Sequence, residues 1–312
     1  ALMSAANGIP NRIQAPAVLI YGQSGVGKST SAIRALTPER TLWISTERGA
    51  IKPASNPDLN PWHPRRPREI VCLAQATGPN DLSVAREFNA AVEKALEMVQ
   101  AGEIANIVID TISSYATRLD HLVHEVIGIP REYGRASRAV GSDIYPRLRR
   151  IYQTVASVER PRRSANAPAI WGATLVCLAH EKEPFQAAAD RHTGAPAKTI
   201  AGGPALPGKI AETVRHDFDL VLRADIRSVG MGRAERVFAH DSCDKLWPTK
   251  DRWGIVSDRA RDGLGLMPMD LGAILRVGLS REAGAEGAEA DWAILRAFGK
   301  REKVSVDAMV EV

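Results

Sequence analysis

The chain has 312 residues, 45% of them hydrophobic and 25% charged, and 41 Lys and Arg against 36 Asp and Glu give a formal net charge of +5. These proportions exclude a mainly disordered chain and fit one large domain, or a core with small additions, able to bury a sizeable interior. No run of 18 apolar residues and no charged-then-apolar leader is present, and the three cysteines (Cys72, Cys177 and Cys243) form no CxxC pair. A membrane partner, a zinc site and a disulfide framework are therefore not expected, and a reduced, cytoplasmic protein is.

Residues 1–16 read as a short N-terminal arm. Ala17, Val18, Leu19, Ile20 and Tyr21 form an apolar run ending in glycine, the pattern of a buried strand. Residues 28–36 have helix-forming composition, stopped by Pro38, and 41–45 form a second apolar strand. Five prolines from Pro53 to Pro67 mark a loop with a basic end, and a short strand is expected at 71–74. After Asp81, read as an N-cap, residues 82–100 place Val84, Phe88, Ala91, Val92, Ala95, Leu96 and Val99 at helical spacing. A strand over 104–109 ends at Asp110, a helix follows over 112–127, and a strand over 173–179 ends at His180. A polar stretch rich in Gly and Pro fills 181–204. Residues 218–222 and 235–239 alternate in the manner of antiparallel edge strands. Strands alternating with helices predict an α/β core over 17–270 with a mainly parallel sheet, ahead of a C-terminal helical tail over 271–312.

Chemistry enters at Gly22, Gln23, Ser24, Gly25, Val26, Gly27, Lys28 and Ser29, which match GxxxxGK[ST] in full between a predicted strand and a predicted helix. The glycines let the backbone turn tightly and aim N–H groups at phosphate oxygens, and the helix N-terminus adds a positive partial charge. Lys28 is expected to reach the β- and γ-phosphates of ATP, Ser29 to ligate Mg²⁺, and Thr30 to complete the nucleotide contacts. Such a loop needs a carboxylate near the metal, and Asp110 supplies one at a strand end. Glu47, after the strand over 41–45, can polarise the water that attacks the γ-phosphate.

The run Thr46, Glu47, Arg48, Gly49 after the second strand resembles the RecA/RadA recombinase core, in which this Glu is the catalytic base. In that family a polar residue at the end of the next long strand senses the γ-phosphate. The position falls on His180, where the family usually has Gln. Gly202 to Lys209 and Arg215 to Leu222 resemble the family's Gly-Gly-x-Ala-Leu segment and following strand. With Lys250 to Gly254 added, the pattern is similar to phage-encoded single-domain recombinases labelled AAA-domain ATP-binding proteins. The resemblance covers 17–255 and implies an α/β RecA-like P-loop NTPase core, its mainly parallel sheet flanked by helices, with antiparallel strands at the C-terminal edge. Only 16 residues precede the first strand, so the N-terminal domains of RecA and RadA are expected to be missing. The resemblance also implies a homo-oligomer, a filament or a ring, in which Lys250 or Arg252 completes a neighbour's site as a cation acting in trans. A surface turn is the other reading of those two residues.

Residues 131–163 hold nine arginines against three acids. Arg131, Tyr133, Arg135 and Arg138 fall where the RecA fold places its first DNA-binding loop, with arginines for phosphates and a ring to stack on a base. Lys182, Arg191 and Lys198 fall in the second. For Arg147, Arg149 and Arg150 a solvated helix face is an equal reading. Phe88 to Ala91 matches the FxxA peptide through which recombinases polymerise, yet its helical face assigns it to core packing. The expectation is an ATP- and Mg²⁺-dependent ATPase that binds single-stranded DNA and serves recombination or annealing, in the host cytoplasm if phage-encoded. A single-strand-binding protein is a further expected partner. The alternatives are a helicase-like ring motor, a nucleotide-switch loader and, with least support, a small-molecule P-loop kinase.

Overall fold

A strand covered on both faces can be apolar throughout, and the most apolar runs of this chain become the centre of its sheet. The computed structural model describes residues 12–48, 50, 52, 66–78, 80–128, 153, 155, 169–187, 198–206, 216–228, 234–239, 247–256 and 266–282. In chain order the strands are β1 (Arg12–Gln14), β2 (Ala17–Gly22), β3 (Thr41–Ser45), β4 (Arg68–Val71), β5 (Asn106–Asp110), β6 (Ala169–Trp171), β7 (Thr174–Lys182), β8 (Phe185–Ala187), β9 (Lys198–Ile200), β10 (Gly203–Pro204), β11 (Leu220–Ser228), β12 (Ala234–Ala239), β13 (Lys250–Asp251) and β14 (Leu266–Pro268). The helices are α1 (Lys28–Ala35), α2 (Ser83–Gln100), α3 (Ile112–His121) and α4 (Leu271–Glu282).

The main sheet has the order β14-β12-β11-β2-β7-β5-β3-β4, with β10 added on β7 and β13 on β11. From β11 to β4 every neighbouring pair is parallel. Strands β12, β13 and β14 are antiparallel. This is the RecA-like P-loop arrangement expected of the sequence, with the antiparallel strands on the C-terminal edge. On one face α2 and α3 pack on Leu19, Tyr21, Ile44 and Ile109. On the other, α1 and α4 pack on Val18, Ile20, Trp43, Val108 and Leu222. Phe88 and Ala91 are buried, and the Phe88 ring stacks on Tyr115 with centroids 3.9 Å apart. That makes the FxxA-like peptide part of the core, where a fully buried aromatic contributes about 1.5–3 kcal/mol.

Some local expectations shift. The alternating segment at 218–222 is no edge strand. It opens β11, which lies inside the sheet between β2 and β12. Asp219 made it look half-solvated, but that carboxylate is buried, with the Ala17 N–H donating to Oδ2 at 2.9 Å and Arg252 Nη1 to Oδ1 at 2.8 Å. The strand expected at 71–74 lies at Arg68–Val71, because the sheet's outermost position tolerates Arg68 and Glu69. Leu82, not Asp81, occupies the cap position of α2; Asp81 instead accepts from the Ser83 and Thr77 N–H groups. Helix α3 ends at His121 and passes into a π-type turn, Leu122–Val126. Arg12–Gln14, within the expected arm, pairs in parallel with β6. Helix α4, the start of the expected tail, is buried against the sheet. Cys72 and Cys177 are buried free thiols. Among the described residues no helix is long and apolar enough to cross a membrane.

Candidate nucleotide site

Because β2, β7, β5 and β3 are parallel, the residues at their C-terminal ends meet along one edge of the sheet. Strand β2 ends at Gly22. A methyl group there would stand 2.3 Å from the Ala224 carbonyl oxygen of β11, so only glycine fits. The chain then loops through 23–26 and enters α1 at Lys28. Gly27 sits at φ 103°, and no side chain caps the first N–H groups of the helix, which leaves them for an anion. Lys28 Nζ donates to the Gly22 and Gln23 carbonyl oxygens, both at 2.8 Å. Burial lowers the Lys28 pKa, and the charges of Asp110, Glu47 and Glu181 oppose that fall. The lysine is thus folded over its own loop, with no carboxylate among the described residues in ion-pair contact with it.

Asp110 ends β5, and its Oδ2 accepts from Ser29 Oγ at 2.8 Å. Burial is the main cause that pushes its carboxyl up to about 6, with the Ser29 bond opposing. A buried carboxylate beside a hydroxyl fits Mg²⁺, which takes one or two protein oxygens and fills its shell with phosphate oxygens and water. Among the described residues no group of three His, Cys, Asp or Glu could hold a metal ion by itself. The Asp110–Thr111 peptide is cis.

Glu47 follows β3 and is half-buried. Its Oε1 is 2.7 Å from His180 Nε2, accepts from Thr111 Oγ1 at 2.9 Å, and accepts from Ser114 Oγ. The bond to His180 leads the causes that hold its carboxyl down at about 2. The turn carrying Glu47 is itself tied down. Thr46 Oγ1 donates to the Thr111 carbonyl at 2.6 Å and accepts from its N–H at 2.9 Å. From α3, Arg118 donates to the Thr46 and Cys72 carbonyls. His180 is fixed through its own N–H, which donates to Ser113 Oγ at 3.0 Å. The sequence had pointed to Glu47, Asp110 and His180. The hydroxyls of Thr46, Thr111, Ser113 and Ser114 went unread, although all follow strand ends in which the acids were already singled out.

One cavity of about 720 Å³ is lined by Ser24, Gly25, residues 27–30, Glu47, Asp110, Thr111 and His180, and on the side of β12 and β14 by Arg236, Pro268 and Met269. Residues 14–253 match the family described as AAA domain. The chain belongs to that family. Among solved structures, the AAA-domain chain is similar to the flagellar accessory protein FlaH of Methanocaldococcus jannaschii, at 14% identity and TM-score 0.34 over 75% of this chain and 80% of that one. It is also similar to an ATPase from the type III secretion system of pathogenic bacteria, at 15% identity and TM-score 0.47 over 96% and 79% of the respective chains. No curated protein sequence matches.

Of the remaining sequence candidates in this AAA-domain chain, Arg252 is half-exposed and pairs with Asp219 of its own chain, and Lys250 Nζ donates to the His216 carbonyl at 3.3 Å. Neither lines the cavity. Lys182 stands at the end of β7 with its Nζ 5.1 Å from the Phe185 ring centroid, and Lys198 opens β9. Gln23 Nε2 donates to Glu183 Oε1 at 3.3 Å, so the loop at 22–29 touches the segment that follows β7. Arg131, Tyr133, Arg135, Arg138 and Arg191 lie outside the described residues.

Proposed function

We propose that the chain hydrolyses ATP with Mg²⁺, binds single-stranded DNA and acts in recombination or annealing as a homo-oligomer. The observation that carries the hydrolysis is the placing of Glu47, Asp110 and Lys28 around one cavity at the ends of three parallel strands. Lys28 exchanges its two loop carbonyls for β- and γ-phosphate oxygens. Ser29 and Asp110 hold the cation, which neutralises phosphate charge when bound. Glu47 orients the attacking water and takes its proton. At a pKa of about 2 it is a poor base, and a base works best nearer the ambient pH. The γ-phosphate competes for His180, and each donor withdrawn from Glu47 strengthens it.

The support for DNA is the arginine-rich segment at 131–163, with Lys182 at the end of β7 and Lys198 at the start of β9. His180 and Lys182 belong to one strand, so a γ-phosphate that draws on His180 shifts the start of the segment after it, which couples nucleotide state to DNA affinity. The experiment is ATPase rate with and without single-stranded DNA on a sample of known oligomeric size. Stimulation is expected, and none would remove the DNA role. Affinity should fall steeply with salt through counterion release, and replacing Arg131, Arg135 and Arg138 by Ala should flatten that slope. Tyr133→Ala should cost roughly 1–3 kcal/mol of binding if it stacks on a base. Unchanged affinity and slope in both variants would move DNA off this segment.

A further inference from the structure

The cavity has two ends. Lys28, Asp110, Glu47 and His180 mark the end where phosphate chemistry would occur. The other end is built by β12 and β14, and Arg236 stands there. Its backbone is fixed on both sides: β12 pairs Arg236 with Ile226 of β11, and its carbonyl accepts from the Met269 N–H at 3.2 Å. From that anchored point the side chain crosses Gly27. A methyl group on Gly27 would lie 3.0 Å from Arg236 Cδ and 3.2 Å from Nε. The guanidinium therefore starts within reach of the uncapped N–H groups that open α1.

Among the described residues no carboxylate pairs with Arg236. Glu235 lines the same cavity but forms no ion pair with Arg236. A permanent cation held over a loop that gathers N–H groups, and paired with no carboxylate among the described residues, makes a place for negative charge. We propose that Arg236 is a phosphate-binding residue supplied in cis, contacting the phosphates nearest the nucleoside across Gly27 while Lys28 serves the far end. Its position, away from Glu47 and Asp110, makes it a binding group and not a partner in bond cleavage. This rests on the nucleotide-site reading above.

The test measures the affinities of Mg·ATP, Mg·ADP and Mg·tripolyphosphate, the last lacking any nucleoside, for the wild-type chain, Arg236→Ala, Arg236→Lys and Lys28→Ala. Arg236→Ala should weaken all three ligands by a similar factor of about tenfold or more, the scale of a lost hydrogen bond to a charged group. Arg236→Lys should recover part of the loss, and with ATP the loss should fall on KM more than on kcat. The exposed position predicts an unaltered melting temperature without ligand. Loss for ATP and ADP with tripolyphosphate unaffected would overturn the assignment, because the contact would then be to the nucleoside. Unchanged affinities in Arg236→Ala beside abolished binding in Lys28→Ala would overturn it too and leave the nucleotide site standing. Intact binding in Lys28→Ala would bring down the nucleotide-site reading, and this inference with it.

Discussion

The two ends of the cavity are built on different terms. At the ends of β3, β5 and β7 nearly every polar group already has a partner: Glu47 has His180, Thr111 and Ser114, and Asp110 has Ser29. At the β12 and β14 end an arginine extends over Gly27 without a carboxylate among the described residues. The first end lies at the convergence of parallel strands, where buried polar groups must be satisfied inside the protein. The second lies on antiparallel strands at the margin of the sheet, where water can serve. A reaction that punishes misplaced groups belongs at the wired end, and a contact that only adds affinity can sit at the open one.

Glu47→Gln should give the largest effect. It keeps the contacts that hold the turn and removes the base, so ATP still binds while turnover falls about 100-fold or more. A variant that hydrolyses ATP like the wild type would put the base elsewhere and end the contrast. Thr46→Val comes next. It strips the Thr111 N–H and carbonyl of their buried partner, which should lower stability by about 2 kcal/mol and reduce kcat more than ATP affinity. Denaturant melts and a kinetic split check it, and equal stability would mean that the turn does not depend on this bond.

Asp110→Asn should move the other way. A carboxyl raised by burial from 3.8 to about 6 contributes stability below pH 3.8 and loses it as pH rises through 6. At pH 7 the ionised group is a net cost, so the ligand-free variant should gain about 1–2 kcal/mol while losing the stabilisation by Mg²⁺ and nucleotide. Glu47 has the opposite sign. Depressed from 4.5 to about 2, it contributes above pH 4.5 and loses that contribution as pH falls through 2, by no more than about 1–2 kcal/mol once solvent screening is counted. Melts between pH 2 and 7 should therefore differ between Asp110→Asn and Glu47→Gln in opposite limbs of the profile. The same displacement in both would show that the two acids share one environment.

The smallest expected effect concerns Arg252. Its pair with Asp219 is half-exposed on the arginine side but buried on the aspartate side, so Arg252→Ala should cost about 1 kcal/mol of stability by taking one of that carboxylate's two partners. If this arginine also serves a neighbour's cavity, its variant mixed with Glu47→Gln should recover some ATPase activity, because one mixed interface holds both groups intact. Co-assembled but inactive mixtures would confine Arg252 to its own chain.

What could be read in advance was whatever depends on local pattern. The loop from Gly22 to Ser29 was legible because its chemistry dictates a contiguous spacing, and Asp110 and Glu47 because each closes an apolar strand. Arg236 was not legible. It reaches Gly27 only because β12 returns beside β11, 209 positions further along the chain, and sequence spacing carries no trace of that. Asp219 misled for a related reason: an acid inside an apolar run looks like an exposed position until its distant partners, Ala17 and Arg252, are known. The hydroxyls around Glu47 sit on common residue types, and only convergence in space gives them a role.

The order of the strands also governs how the molecule comes into being on the ribosome. Strand β2 is synthesised before both of its neighbours, β7 and β11, so its edges wait for residues 175–180 and 220–223. Such pairings are distant in sequence and slow to close. A nascent chain that has emerged as far as α3 holds Lys28 and Asp110 without a β7 to join β2 to β5. The nucleotide site is therefore completed only once β7 has followed β2 and β5 out of the exit tunnel.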